Sequence, residues 1–375
     1  MTHLKTDRRT FLWGGLSTGI SLLGFGLRAV TGGEQEAAGR HRRLLYFLDD
    51  RGREQPVASP GDWERRRDAI LAGMQAVMGP LPDRTRLPPV GMKVTGEVKA
   101  DGIRRLTISY QLGMGDRRVP AYLLVPDGDN AKRRPAIVAL HPTSNIGKGE
   151  CAGLGKEHSR YGIELAQRGY LVLCPDYPSF GDYVCDFSDH AFASGTMLGI
   201  VGHMRGIDLL QSLPQVNPER IGAIGHSLGG HNAMFLGAFD RRVKVVVSSC
   251  GWTPFADYFH GNLAGWCSPR YMPRIRDVYH GDPGAVPFDF YEVAAALAPR
   301  PFFSNSPLHD TNFDVAGVRK AEPEIRKVYE LLGAAPAIEV VSPDCGHDFP
   351  KDLRADAYRF VDAALWWDAP GKRGG

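Results

Sequence analysis

Three residue types in a fixed chain order could perform acyl transfer here: a serine in a glycine-rich turn, an acid downstream of it, and a histidine beyond the acid. The serine is Ser227, in Gly225-His226-Ser227-Leu228-Gly229. The short apolar run Arg220-Ile221-Gly222-Ala223-Ile224 precedes it, after the turn-like Asn217-Pro218-Glu219, and a helix-forming stretch over 230–238 follows. A serine held on so tight a turn needs neighbours without side chains, so that its Oγ projects clear and the helix can pack against the strand. The start of the helix also leaves N–H groups without partners, and that of Leu228 can face a developing oxyanion. A serine among glycines is by itself common as a plain turn residue or helix cap; the strand before it and the helix after it give the spacing its meaning.

The acid should come next, and then the base. Val243–Ser249 reads as a buried strand, and Pro301–Ser306 as another. Leu308-His309-Asp310-Thr311-Asn312 leaves the second, which puts Asp310 at the carboxyl edge of the strand; Asp314 is the alternative acid, and a turn-forming role is the alternative for Asp310 itself. The last strand, Ala337–Val341, leads into Pro343-Asp344-Cys345-Gly346-His347-Asp348-Phe349. His347 is the only one of 12 histidines that fits both the order and the position, in a loop between the last strand and the final helix. It follows Asp310 by 37 residues, room for one helix and one strand.

With these motifs the chain resembles an α/β-hydrolase of the dienelactone hydrolase and acetyl xylan esterase-like branch, related to the catalytic domain of prolyl oligopeptidases. The matching stretches are Gly169–Tyr177, Val216–Gly222, the turn at Ser227, His309–Asn312 and Gly346–Phe349. The resemblance implies a mostly parallel twisted sheet with antiparallel N-terminal strands, helices on both faces, and a cap insertion after the sixth strand. It also implies an acyl-enzyme mechanism without a cofactor or metal. One departure stands out. The loop after Pro135–Leu140 reads His141-Pro142-Thr143-Ser144, where many relatives have a glycine after the histidine. Pro142 has no N–H, so the second oxyanion donor is expected at Thr143, with Ser144 as the alternative.

The elements that would position these residues are legible as hydrophobic patterns. Ser59-Pro60 offers a helix cap and a first-turn proline, and Ile70, Met74, Val77 and Met78 fall on one face of the helix that follows. Its basic run Arg65–Arg67 reads as a solvated face. Strands are expected over 94–98, 105–110 and 119–125, and helices at about 159–168, 198–212, 227–238, 318–333 and 351–367 alternate with apolar strands. The domain reading is a signal segment over 1–33, an N-terminal helical extension over 34–90, and a hydrolase domain over 91–375 with a cap insertion over 252–290. That insertion is rich in aromatics; Trp252 and Trp266, together with His226 beside the nucleophile, are the expected substrate-pocket residues, with packing of the cap as the alternative role. His231 and Arg205 receive no assignment.

Asp7-Arg8-Arg9-Thr10-Phe11-Leu12 precedes a glycine-rich apolar run from Trp13 to Leu27. A twin arginine before so modest a run reads as an export signal of the Tat type, with the Tat machinery as partner and a periplasmic or extracellular destination. The run is short for a membrane span, and an uncleaved interfacial helix is the alternative. Net charge is +3 and 43% of residues are hydrophobic, an ordinary balance that gives no reason to invoke nucleic acid. Of six cysteines, Cys174 and Cys250 at strand ends read as small core residues, while Cys151, Cys185, Cys267 and Cys345 lie in loops, where an exported protein could pair some of them; no C-x-x-C occurs, and no zinc site is expected. The function implied is hydrolysis of a carboxylic ester: a carbohydrate ester, or a small aryl ester or lactone. The alternatives are a prolyl-oligopeptidase-like peptidase and a catalytically silent binding protein on the same fold.

Overall fold

Alternating and continuous apolar runs build one large sheet. The computed structural model describes residues 41–128, 133–189 and 191–365, so the twin-arginine segment lies outside the described residues. A two-stranded hairpin, β1 (Tyr46–Leu48) and β2 (Glu54–Pro56), comes first; strands of three residues are too short to carry a periodic signal, and the sequence did not disclose them. Helix α1 (Pro60–Met78) follows, capped as expected: Ser59 Oγ accepts from Asp62 N at 3.2 Å. Trp63, Ile70, Met74, Val77 and Met78 are buried in the main core. The expectation of a solvated basic face fails for Arg66 and Arg67, which are buried. Arg66 pairs with Glu292, and Arg67 donates to the carbonyls of Ala238 and Ala296. A guanidinium can be buried when it is paired or hydrogen-bonded in this way, although Arg66 Nε finds no partner, and the two arginines fasten the extension to the body.

Strands β3 (Lys93–Ala100), β4 (Ile103–Gln111) and β5 (Arg118–Pro126) are antiparallel, and β5 joins β7 (Leu171–Pro175) antiparallel. From there β6 (Arg134–Leu140), β8 (Val216–His226), β9 (Val243–Ser249), β10 (Phe302–Asn305) and β11 (Ile338–Val341) run parallel, in the order β11-β10-β9-β8-β6-β7-β5-β4-β3. Besides a single turn at Arg274–Asp277, the helices that follow are α2 (Tyr161–Gln167), α3 (Gly195–Ser212), α4 (Leu228–Phe239), α5 (Phe290–Ala295), α6 (Val315–Leu331) and α7 (Lys351–Ala364). Apolar residues on the two faces of the sheet form separate clusters, as expected of a sheet covered on both sides. Two sequence readings need correction. The turn signal Asn217-Pro218-Glu219 lies inside β8 as a bulge: Arg134 aligns with Val216 but Ala136 with Ile221. The insertion follows β9, the seventh strand of the nine-stranded sheet rather than the sixth. The largely exposed edge strand β3 opens the count, and the sixth strand, β8, is the one that ends at His226, directly before Ser227.

Burial drives several imidazoles neutral. His203, on α3, has neither ring nitrogen bonded; burial, reinforced by His141, brings its pKa down to about 3. An unfolded histidine protonates near 6.5, so the unfolded chain binds a proton that the native chain refuses over the interval from 6.5 to about 3. The stability this neutral ring contributes is complete above pH 6.5 and is lost as the pH falls toward 3. A His203→Phe chain should therefore lose less Tm than the natural chain between pH 7 and pH 4; equal losses in thermal unfolding would refute the assignment.

Candidate active site

The turn after β8 shows why glycines flank the serine. A Cβ on Gly225 would stand 2.1 Å from the Gly229 carbonyl oxygen, and one on Gly229 would stand 1.9 Å from that of Leu140. Only hydrogen fits where α4 starts against the ends of β6 and β8. Ser227 takes φ 55° and ψ −119°, a strained conformation for a residue with a side chain. Its N–H donates to Ser249 O at 2.8 Å, and its own carbonyl accepts from Gly230 N at 2.8 Å, so the strained turn is held from both sides.

Asp310 lies in the segment after β10, its carboxylate buried. Oδ1 accepts from the amides of Asn312 at 2.8 Å and Phe313 at 3.1 Å, while Oδ2 meets Nδ1 of His347 at 2.8 Å. Burial pushes the Asp310 pKa up, but the bond to His347, its charge and the two backbone donors outweigh that and hold the acid below its usual range. With Nδ1–H committed to the carboxylate, the other imidazole nitrogen carries the lone pair that a base needs. The ring of His347 packs between His226, centroids 4.9 Å apart, and Phe313, 6.1 Å away and inclined by 22°. Asp314, the alternative acid, is spent elsewhere: it caps α6 by accepting from Ala316 N at 2.8 Å.

Ser227, Leu228 and Thr143 all line one cavity of about 240 Å³. The Leu228 and Thr143 amides have no hydrogen-bond partner among the described residues. Thr143 owes its orientation to the residues before it. His141 Nδ1 bonds the Pro142 carbonyl at 2.7 Å, and His141 Nε2 accepts from Tyr177 N at 2.9 Å. In a trans peptide the N–H points opposite to the C=O, so pinning the Pro142 carbonyl turns the Thr143 N–H the other way.

The expected pocket residues divide. Trp266 lines the cavity. Trp252 does not: it is buried, its indole N–H bonded to Ser304 Oγ at 2.9 Å, because a large ring directly after a sheet strand packs into the core. His226 is also buried, packed at a tilt between His347 and His158 with Nδ1 on Ser249 Oγ at 2.9 Å, so it faces His347 rather than the cavity. Tyr258, Phe259 and Tyr271, aromatics of the insertion expected to shape the pocket, line it too, as do His231, which received no assignment, and Asn312 and Phe313, which sequence reasoning left out. The position of Asn312 and Phe313 just past the acid was the signal that could have found them. For metal binding, Cys250, Asp310 and His347 form the one three-ligand group among the described residues, their ligand atoms within 4.8 Å of one another. The Asp310–His347 bond already engages two of the three.

A sequence profile described as the alpha/beta hydrolase family matches residues 151–363. YtaP of Bacillus subtilis, named as a hydrolase, is 29% identical over 302 residues, covering 77% of this chain and 96% of that protein. The 4-O-methyl-glucuronoyl methylesterase of Schizophyllum commune is 25% identical over 276 residues, 66% of this chain and 63% of that protein. Among solved structures, a glucuronoyl esterase from Solibacter usitatus superposes with a TM-score of 0.64 at 18% identity, covering 87% of this chain and 97% of that one.

Proposed function

Because the chain belongs to the alpha/beta hydrolase family, we propose that it is a serine hydrolase that cleaves carboxylic esters through an acyl-enzyme. The observation that carries this reading is the 2.8 Å bond from His347 to the buried Asp310, with strained Ser227 sharing a cavity with two unengaged backbone amides. His347 takes the Ser227 proton as Oγ attacks the ester carbonyl, while Asp310 holds the imidazole tautomer and stabilises its charged form. The N–H groups of Leu228 and Thr143 receive the oxyanion, each donor contributing about 10²–10³ in rate. Collapse of the intermediate expels the alcohol, protonated by His347. Water then attacks the acyl group with His347 again as base, releasing the acid and restoring the serine. The carbohydrate esterases among the relatives support a sugar ester as substrate.

A fluorophosphonate tests this directly. It should label the chain stoichiometrically at Ser227, as mapped by peptide mass spectrometry; an unlabelled, folded chain would leave the silent binding protein as the better reading.

Export rests on Arg8 and Arg9. A chain carrying Arg8→Lys and Arg9→Lys should stay in the cytoplasm while the unaltered chain is exported, and equal export of both in a fractionation assay would remove the Tat reading. No helix among the described residues is long and apolar enough to cross a membrane.

A further inference from the structure

Among the described residues, no Lys, Arg, Asp or Glu lines the cavity beside Ser227. Its histidine, His231, is neutral: burial, only partly opposed by a bond to the Gly251 backbone, brings its pKa down to about 3. Its polar heads include the Tyr258 and Tyr271 hydroxyls and the Asn312 carboxamide, none of them bonded to another described residue, beside the Thr143 hydroxyl and the unbonded Trp266 indole N–H. Burial and the neighbouring Tyr271 push the Tyr258 phenol up, so it stays a neutral donor. These heads stand among the rings of Phe259, Trp266 and Phe313.

Two local features mark the Tyr258 hydroxyl as deliberately placed. A Cβ on Gly265 would stand 2.4 Å from it, so only glycine leaves it room. The turn that follows holds Phe259 at φ 44° and His260 at φ 56°, two successive non-glycine residues in the left-handed region. Strain of that kind persists where the surrounding structure over-determines it, as it does at ligand clamps.

We propose that Tyr258, Tyr271 and Asn312 are the specificity-determining residues of this cavity, reading the hydroxyls of an uncharged ring, and that the cavity turns away esters carrying a charge on the group seated there. The inference rests on the ester-hydrolase reading above. A carboxylate in this cavity would lose water and meet no counter-charge, whereas a neutral hydroxyl can both donate to and accept from the three heads. Aromatic walls suit the apolar faces of a ring whose edge carries hydroxyls.

Three acetate esters separate the possibilities: an acetylated methyl pyranoside, phenyl acetate, and an acetylated methyl uronoside with its carboxylate free. The natural chain should show kcat/KM about 100-fold lower on the uronoside than on the neutral pyranoside. Tyr258→Phe should lower the pyranoside value about tenfold and leave phenyl acetate within about twofold, since only the hydroxyl contact is removed. Gly265→Ala, which displaces that hydroxyl, should reproduce the pattern. Equal turnover of the two sugar esters would overturn the inference, as would a Tyr258→Phe effect that is absent or uniform across the neutral substrates. Fluorophosphonate labelling keeps the two readings apart. A chain that labels at Ser227 but shows no preference for the neutral sugar ester refutes the specificity assignment alone, and a chain that neither labels nor turns over any ester refutes the hydrolase reading beneath it.

Discussion

Ser227→Ala is expected to lower kcat by about 10⁴ or more on any ester the protein hydrolyses, with its thermal unfolding little changed. The nucleophile is lost outright, and the oxyanion donors at Leu228 and Thr143 can only assist an unactivated water. The fold should tolerate the change because the turn is held by backbone bonds, Ser227 N to Ser249 O and Gly230 N to Ser227 O, that alanine keeps. The strain at φ 55° is likewise shared by both residues. Nucleophile and base act as a unit, so His347→Ala should cost nearly as much, and the Ser227→Ala/His347→Ala double variant scarcely more than either single one. Steady-state kinetics on one ester, with Tm as control, checks this. Full activity in a folded Ser227→Ala chain would refute the mechanism.

Asp310→Asn should lower kcat by about three to four orders of magnitude, because the carboxamide can donate toward Nδ1 and so favours the wrong imidazole tautomer. The change is nearly isosteric, and the Asn312 and Phe313 amides that now bond Oδ1 still find an oxygen there, so the loop should hold. Asp314→Asn provides the contrast. Its carboxylate caps α6, and asparagine caps about as well, so activity should stay near the natural level and stability should change by less than about 1 kcal/mol. A crippling Asp314→Asn beside a mild Asp310→Asn would mean that the acid is misassigned.

The proposed catalytic residues were legible for a local reason. A strand, a turn that only glycine permits and a helix are contiguous in the chain, so Gly225, Ser227 and Gly229 could be read directly, and the 1.9 and 2.1 Å approaches show the constraint behind the pattern. Asp310 and His347 could be read because each sits just past a short apolar strand, and parallel strands bring their carboxyl ends to one edge. The same logic failed for Trp252, also just past a strand: periodicity says where an aromatic lies along the chain, not which way its ring turns. Arg66 and Arg67 misled in the same manner, because their partners Glu292 and Ala296 lie more than 200 residues away.

By itself the sequence determined the α/β architecture, the glycine-flanked turn at Ser227 and the strand-end positions of Asp310 and His347, since each depends on residue type over a few adjacent positions. Only the tertiary structure decided which of two aspartates meets His347, that His226 backs the base, and that Tyr258, Tyr271 and Asn312 share an uncharged cavity with Ser227. Those are matters of side-chain direction and of long-range packing, in which burial and pairing across distant segments override what any local window can specify.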